Sequence, residues 1–461
     1  MEWLRYGAQH YPDRICINEY TYKDIYGGVL HVASELLPLE SSRVAILSDN
    51  SVTMAIYILA AMLAHKEVLL LNVHLKPNEI ENQLKQLGVT TVLHSQDRRN
   101  QLPDSMCVIE FESLETILAD RVLEDLFDWT FNDTDIAAIM NTSATTGQFK
   151  SVPLRWRQIR AHVQASQEVL GKTEQDNWLM VLPLFHVSGL SILMRSLYNG
   201  TAITILTKYD EAKVLELIET EKINMMSLVP TILTQLEPKI THHTLRVILL
   251  GGEFIPMALI DACEKKLLPI YKTYGMTETF SQSVTFSVLD YPHKRDSVGK
   301  PLPGMQIRID SPDADGVGEI HLTGPMVMTG YIGKEPIDGD LNTDDIGYVD
   351  EDGFVYILNR RKDLIISGGE NIYPKELEDL VYTLPSVKEC AVVPVSDPKW
   401  GQVPALFVAF HDGESMTSDE ILSFMTQSLA KYKIPKYVKI LPALPRNGTG
   451  KIVRNELRLE D

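Results

Sequence analysis

Short β-branched runs alternate with helix-like segments through most of this chain: Arg43–Leu47, Val68–Leu71, Thr90–Leu93, Ile136–Met140, Ala202–Leu206, Met225–Val229 and Arg246–Leu250. Strands joined by helical crossovers lie parallel, and parallel sheets are covered by helices on both faces, so the alternation points to an α/β architecture. After about Gly299 the texture changes. Closely spaced β-like runs, Gln306–Asp310, Glu319–Leu322 and Phe354–Leu358, are broken by Gly, Pro and Asp and predict a smaller β-rich subdomain. Beyond Arg360-Arg361-Lys362-Asp363, a helix-like stretch, Pro374–Leu384, precedes strand-like Glu389–Val395 and Leu406–Phe410, a unit large enough to fold alone. The expected organisation is a large N-terminal domain of parallel-sheet βα subdomains over residues 1–361, its β-rich part at about 299–361, and a small α+β C-terminal domain over 362–461.

At 461 residues the chain exceeds one ordinary core, consistent with two to four domains or subdomains. A net charge of -19 argues against nucleic acid or an anionic membrane as the main partner, so an anionic substrate must meet locally placed cations. Cys16, Cys107, Cys263 and Cys390 are far apart and form no C-x-x-C pair, which predicts neither zinc site nor disulfide framework and fits a reduced cytoplasm. The N-terminal stretch has no apolar signal region. The longest apolar run, Met54–Ala64, falls short of the roughly 20 residues that span a bilayer and predicts a buried helix. No repeat, heptad or low-complexity tract stands out, and a homo-oligomer is compatible with the composition.

Several segments could carry chemistry. Asn141-Thr-Ser-Ala-Thr-Thr-Gly147-Gln-Phe-Lys150 follows a strand, and a small hydroxyl-rich loop there can wrap phosphate with backbone N–H groups, Ser/Thr hydroxyls and a lysine. Read alone it is equally a solvated turn. A Walker P-loop needs Gly six residues before the lysine of Gly-Lys-Ser/Thr; Pro445 stands at that place before Gly450-Lys451 and Ile452 follows, so that rival fails. In Leu182-Pro-Leu-Phe-His186-Val-Ser-Gly189-Leu190, His186 could touch substrate, though a lone histidine among apolar residues is more often a core residue.

Leu249-Leu-Gly-Gly252-Glu253 and Tyr274-Gly-Met-Thr277-Glu278-Thr279 each end a strand-like run. Two such loops of one sheet can share a crevice at the carboxyl ends of its strands, holding adenine beside Tyr274 and Mg²⁺ on Glu278. Asp345 could bind ribose hydroxyls with Arg360 nearby, and Gly368-Gly369 permits close backbone approach to a ligand. In Leu444-Pro-Arg-Asn-Gly-Thr-Gly450-Lys451, a lysine on a glycine hinge can swing into a site; alone the segment reads as a frayed tail.

Taken together and in order, these segments resemble the acyl-adenylate-forming superfamily of acyl-CoA synthetases, peptide-synthetase adenylation domains and luciferases, and the resemblance covers nearly the whole chain. It implies that Thr142, Ser143, Thr145, Thr146, Gly147 and Lys150 hold the ATP phosphates, and that Gly251, Gly252, Tyr274, Gly275 and Thr277 form the adenine pocket. It further implies that Thr145 and Glu278 are linked to Mg²⁺, that Asp345 and Arg360 bind ribose, and that Lys451 is the catalytic lysine of adenylation. Lys362 falls at the hinge about which the small domain moves, and Gly368-Gly369 at the turn lining the coenzyme A tunnel. Ala144, Phe149, Ser151 and Asp344 depart from the usual Gly, Pro, Gly and Gly, and a methyl at 144 stiffens the loop or crowds the triphosphate.

The stretches Leu182–Leu190, Asp363–Pro374, Trp400–Pro404 and Leu429–Pro435 look most like the branch that joins o-succinylbenzoate to coenzyme A in menaquinone synthesis. For that acid, His186, Ser188, Ser191, Ser281 and Gln282 are the candidate pocket residues, with Arg195 a more distant cation. A ligase for another aryl or fatty acid, and a catalytically silent nucleotide-binding relative, are the alternatives.

Overall fold

Every side chain from Val52 to Leu63 is buried except Thr53, as a helix wedged into a core requires, and Ser51 caps it by accepting from the Met54 N–H. In the computed structural model this helix connects Arg43–Leu47 to Glu67–Leu70, neighbouring strands of the first of two large sheets. The structure describes residues 1–104, 106–119, 124–143, 149–252, 255–360, 363–367, 370–398, 400–429, 431–446 and 452–459, with only the backbone at 143, 359, 360, 366, 370 and 371.

The first sheet has six strands in the order Cys107–Glu110, Thr91–His94, Arg43–Leu47, Glu67–Leu70, Ile136–Ser143, Phe149–Arg155. All neighbours are parallel except the last pair. The second sheet has nine. Its parallel centre runs Ile270–Tyr274, Val247–Gly251, Met225–Leu228, Asn177–Met180, Ala202–Ile205, Ile15–Ile17. Antiparallel strands close its two edges: Val284–Ser287 and Lys300–Pro301 on one side, Tyr20–Thr21 on the other. Residues of both sheets share one apolar core, in which Ala45, Ile46, Ala138 and Ile139 join Trp178, Met180, Ile203 and Leu249.

The β-rich subdomain is a four-stranded antiparallel sheet, Gln306–Asp310, Gly318–Thr323, Leu341–Val349 and Val355–Arg360. The C-terminal sheet follows, built on the long hairpin Val387–Asp397 and Gly401–Phe410. Period-two alternation gives it two cores. Cys390, Val392, Leu406 and Val408 face helices Pro374–Val381 and Ser418–Thr426, while Ala391, Val393, Ala405 and Phe407 face Leu444 and Leu457.

Some boundaries differ from the sequence reading. The strand expected at Ile136–Met140 runs on to Ser143 because a partner, Phe149–Arg155, pairs with its end. The helix expected through Leu384 stops at Val381, and its tail tightens into i→i+3 bonds, Thr383 to Leu380 and Leu384 to Val381, before Pro385. Asp344, where glycine is usual in the resemblance, has φ +60°, the left-handed region, and its N–H donates to Asn342 Oδ1 at 2.8 Å. Asp tolerates that backbone better than most residues but not at no cost. Asp344→Gly is therefore expected to raise stability by about 0.5 kcal/mol, read as a higher denaturation midpoint at unchanged slope.

Candidate active site

The strands Val247–Gly251 and Ile270–Tyr274 are parallel neighbours, with Gly251 opposite Thr273. A Cβ on Gly251 would lie 2.5 Å from the Thr273 carbonyl oxygen, so only glycine fits there. The chain leaves Tyr274 through Gly275, where a Cβ would meet the Ser281 carbonyl oxygen at 1.5 Å. That contact folds residues 275–282 back on themselves around the single 3₁₀ turn Thr277–Thr279. Phe280 and Ser281 take φ +55° and +92°, a strained backbone for residues with a side chain.

This turn presents Glu278. Tyr331 Oη donates to Glu278 Oε1 at 2.8 Å, and the Lys150 Nζ lies 5.0 Å from the centre of the Tyr331 ring. Burial, reinforced by the Glu278 charge, pushes the Tyr331 phenol up, so it stays a proton donor at neutral pH. Behind it the main chain is bolted in place. The Met328 N–H donates to the Glu278 carbonyl at 2.9 Å, the Ile332 N–H to the Ser151 carbonyl at 2.9 Å, and the buried Gln158 amide to the Met326 carbonyl at 3.1 Å. Tyr331 and Gln158 were not foreseen; the only signal for Tyr331 was the Gly330-Tyr-Ile-Gly333 turn.

The two ends of the hydroxyl-rich segment lie on paired antiparallel strands. Thr142 pairs with Lys150 and Ser143 with Phe149, and the Thr142 hydroxyl donates to the Lys150 carbonyl at 3.4 Å. Ser151, one of the departures, is buried and donates to Asn141 Oδ1 at 2.7 Å, while the Asn141 amide donates to Gln83 at 2.7 Å. Thr145, Thr146 and Gly147 lie outside the described residues, as do Lys362, Gly368, Gly369 and Lys451.

Asp345, 2% exposed, is joined to the same crevice by Tyr274 Oη, which donates to its Oδ2 at 2.6 Å. Arg360 is its register partner on the adjacent strand, a placement of the backbone, which puts the two residues side by side. Tyr274, Glu278, Asp345 and the backbone of Arg360 thus come from two different sheets to the carboxyl ends of the parallel strands, where ligands of α/β sheets bind.

His186 is the N-cap position of helix Val187–Asn199, after a turn in which the His186 N–H donates to the Pro183 carbonyl at 3.0 Å. Asn50, also unforeseen, clamps this turn: its amide donates to the Leu182 carbonyl at 2.9 Å and its Oδ1 accepts from the Leu184 N–H at 2.8 Å. Ser188 and the buried Ser191 follow on the first turn, Ser191 donating to the Ser188 carbonyl at 3.3 Å. Gln282 is fully buried with its amide in use. Its Oε1 accepts from Ser166 at 2.8 Å and from Arg195 at 2.5 Å, and its Nε2 donates to Thr285 at 2.9 Å. Arg195, 1% exposed, lies over the Trp178 ring at 4.4 Å, and its Nε and second terminal nitrogen have no hydrogen-bond partner among the described residues. Burial draws its pKa down to about 9, still charged at neutral pH.

Glycine-bearing strand ends, a carboxylate held by a phenol, a nearby lysine and a buried carboxylate are residue types that a magnesium nucleotide needs. The AMP-binding enzyme model matches residues 4–332, and the AMP-binding enzyme C-terminal domain model matches 376–451. The chain belongs to the AMP-binding enzyme family. It is 51% identical over 460 residues to 2-succinylbenzoate–CoA ligase of Lactococcus lactis subsp. lactis, covering 99% of this chain and 100% of that protein. Among solved structures it is similar to o-succinylbenzoate CoA synthetase from Bacillus subtilis in complex with its acyl-adenylate intermediate, at TM-score 0.89, 33% identity and 100% and 98% coverage. The complex of that synthetase with ATP and a magnesium ion matches equally, at TM-score 0.89, 33% identity and 99% and 98% coverage. Among the described residues no helix is long and apolar enough to cross a membrane.

Within this family the Tyr331 hydroxyl has a clear expected effect. Tyr331→Phe removes a hydrogen bond to a charged group, worth about 1.5 kcal/mol, and should lower kcat/KM for ATP roughly tenfold with a modest fall in the thermal midpoint. Steady-state kinetics at varied ATP checks it.

Proposed function

We propose that this chain joins 2-succinylbenzoate to coenzyme A in two steps at one site, through the acyl-adenylate, in the reduced cytoplasm and as part of menaquinone synthesis. The observation that carries the choice of acid is the 51% identity, end to end, with a ligase of that acid. The crevice supports the chemistry independently of that likeness.

In the first step a carboxylate oxygen of the acid attacks the α-phosphorus of ATP, forming the P–O bond of the mixed anhydride as the bond to pyrophosphate breaks. Glu278 with Thr145 would hold Mg²⁺, which would supply charge to offset the phosphate oxygens. Thr142, Ser143, Thr146, Gly147 and Lys150 line the phosphates, while Gly251, Gly252, Gly275 and Thr277 wall the adenine beside Tyr274. Tyr274 holds the Asp345 carboxylate where ribose hydroxyls would donate to it, with Arg360 alongside. Lys451 offsets the charge that builds between the acid and the α-phosphate, so positioning and electrostatics do most of the work.

In the second step the C-terminal domain turns at Lys362, withdraws Lys451 and brings Gly368-Gly369 to the site. The coenzyme A thiol, losing its proton, attacks the acyl carbon; the thioester forms and AMP leaves.

For the acid itself we propose His186, Ser188, Ser191 and Ser281 as the polar face of the pocket. Gln282 serves differently from a direct ligand, because its amide is already committed to Ser166, Arg195 and Thr285. It orients Arg195, whose charge among neutral partners favours an acid with a second carboxylate over a monoacid. Coupled pyrophosphate and AMP release with ATP, Mg²⁺ and coenzyme A should show turnover with 2-succinylbenzoate and little with benzoate, 4-coumarate, acetate or octanoate. Preference for a monoacid would overturn the assignment of the acid and leave the two-step chemistry standing.

A further inference from the structure

We propose that His31, Glu35 and Glu112 form a binding site for a divalent transition-metal ion of the zinc class, which clamps helix Tyr22–Leu36 to the segment leading into helix Leu114–Ala119. None of these residues belongs to the crevice described above. His31 and Glu35 are four residues apart on one helix and therefore lie on one face, one turn apart. Glu112 comes from the chain just after the strand Cys107–Glu110. One imidazole nitrogen and one oxygen from each carboxylate all lie within 4.8 Å of one another. His31 Nε2 and Glu112 Oε2 are 3.4 Å apart. That is long for a strong hydrogen bond, but it is close to the ligand–ligand edge of a tetrahedron with metal bonds of about 2.0–2.1 Å.

Two further features suggest a prebuilt site rather than a chance meeting of surface groups. The His31 side chain is 9% exposed, so its ring is held by packing. Glu112 is fixed through its own main chain: its N–H donates at 3.0 Å to the hydroxyl of Tyr57, a residue 1% exposed, and the neighbouring Phe111 ring stacks on Tyr57 at 4.1 Å and 19°. Only Glu35 is exposed, leaving one side open for a water as fourth ligand. The ligand types decide the ion. Mg²⁺ wants near-octahedral oxygen and keeps its waters, whereas an imidazole with two carboxylates suits Zn²⁺, Co²⁺ or Ni²⁺. The Mg²⁺ that accompanies ATP would therefore not fill this site.

The test uses the whole protein stripped with a chelator and titrated with Co²⁺ in excess Mg²⁺, read by the visible d–d band and by calorimetry. One ion per chain with an intense, four-coordinate band is expected, displaced by Zn²⁺. Glu35→Gln and Glu112→Gln should each weaken Co²⁺ binding at least about tenfold, and Zn²⁺ should raise the thermal midpoint of the native chain but not of Glu35→Gln. His31→Gln should abolish the band; if that variant folds poorly, the exposed Glu35→Gln decides. Absence of a band in the native chain, or a band unchanged in both glutamate variants, would overturn the proposal, the latter by placing the ion on other histidines.

Discussion

Glutamine in place of Glu278 is expected to slow adenylate formation by about 10²–10³-fold and to raise the Mg²⁺ concentration needed for half-maximal rate, with the fold intact. The size follows from what the carboxylate is asked to do. It is presented by a turn whose backbone is strained at Phe280 and Ser281 and pinned by Gln158 and Met328, an arrangement that holds one side chain in one place. An isosteric amide keeps the shape and an acceptor for Tyr331 but loses the charge that a magnesium ion requires. The side-chain bond to Tyr331 joins this turn to the segment 328–332, which packs on the strand carrying Lys150, so neutralisation acts where the proposed metal and phosphate groups would meet. Pyrophosphate release at varied Mg²⁺ checks the prediction. A lowered rate with unchanged Mg²⁺ dependence would remove Glu278 from the metal site and leave it a structural role.

Lys451→Ala should depress adenylate formation by about 10²–10³-fold or more while leaving thiol transfer from a preformed adenylate largely intact. Lys451 itself lies outside the described residues, but its surroundings show why the effect should be local. The segment that carries it is closed at its base by an antiparallel bridge between Arg446 and Ile452 and by the Val453 N–H donating to the Pro445 carbonyl at 2.8 Å. Three residues on, Arg454 forms two bonds to the buried Glu378 carboxylate, at 2.5 and 2.9 Å, and Glu378 in turn accepts from the Val392 N–H at 2.6 Å. A lysine whose flanking residues are held this firmly can be truncated without loosening the C-terminal core. The two half-reactions are separable by supplying synthetic acyl-adenylate and coenzyme A. Equal loss in both would falsify the model in which the lysine serves only one of two domain poses.

How much of this was legible in advance depended on the range of the interaction concerned. The parallel strands were visible because a strand buried on both faces must be largely apolar: Arg43–Leu47 falls where the pattern put it. Leu341–Val349 was missed because Asn342, Asp344 and Asp345 break the apolar signal, while the strand-like run expected before Gly275 is Ile270–Tyr274 despite Lys272 and Thr273. Those polar residues are in strands because of tertiary partners. Lys272 is buried with its amine donating to the Arg295 carbonyl, and Asp345 sits opposite Arg360 and under Tyr274. The frayed-tail reading gave no hint that the residues flanking 447–451 are tied down, by a local bridge between Arg446 and Ile452 and by the long-range Arg454–Glu378 pair.

By itself the sequence determined which residue types the crevice contains, since adjacent glycines, a hydroxyl-rich segment and isolated carboxylates after strands carry their chemistry locally. Tertiary structure alone decided what each one touches. Tyr331 entered the site because main-chain bonds from Glu278 and Ser151 bring its turn there. The Gln282 amide is engaged by Ser166, Arg195 and Thr285 because burial leaves a polar atom no partner but another polar atom, and three were in reach.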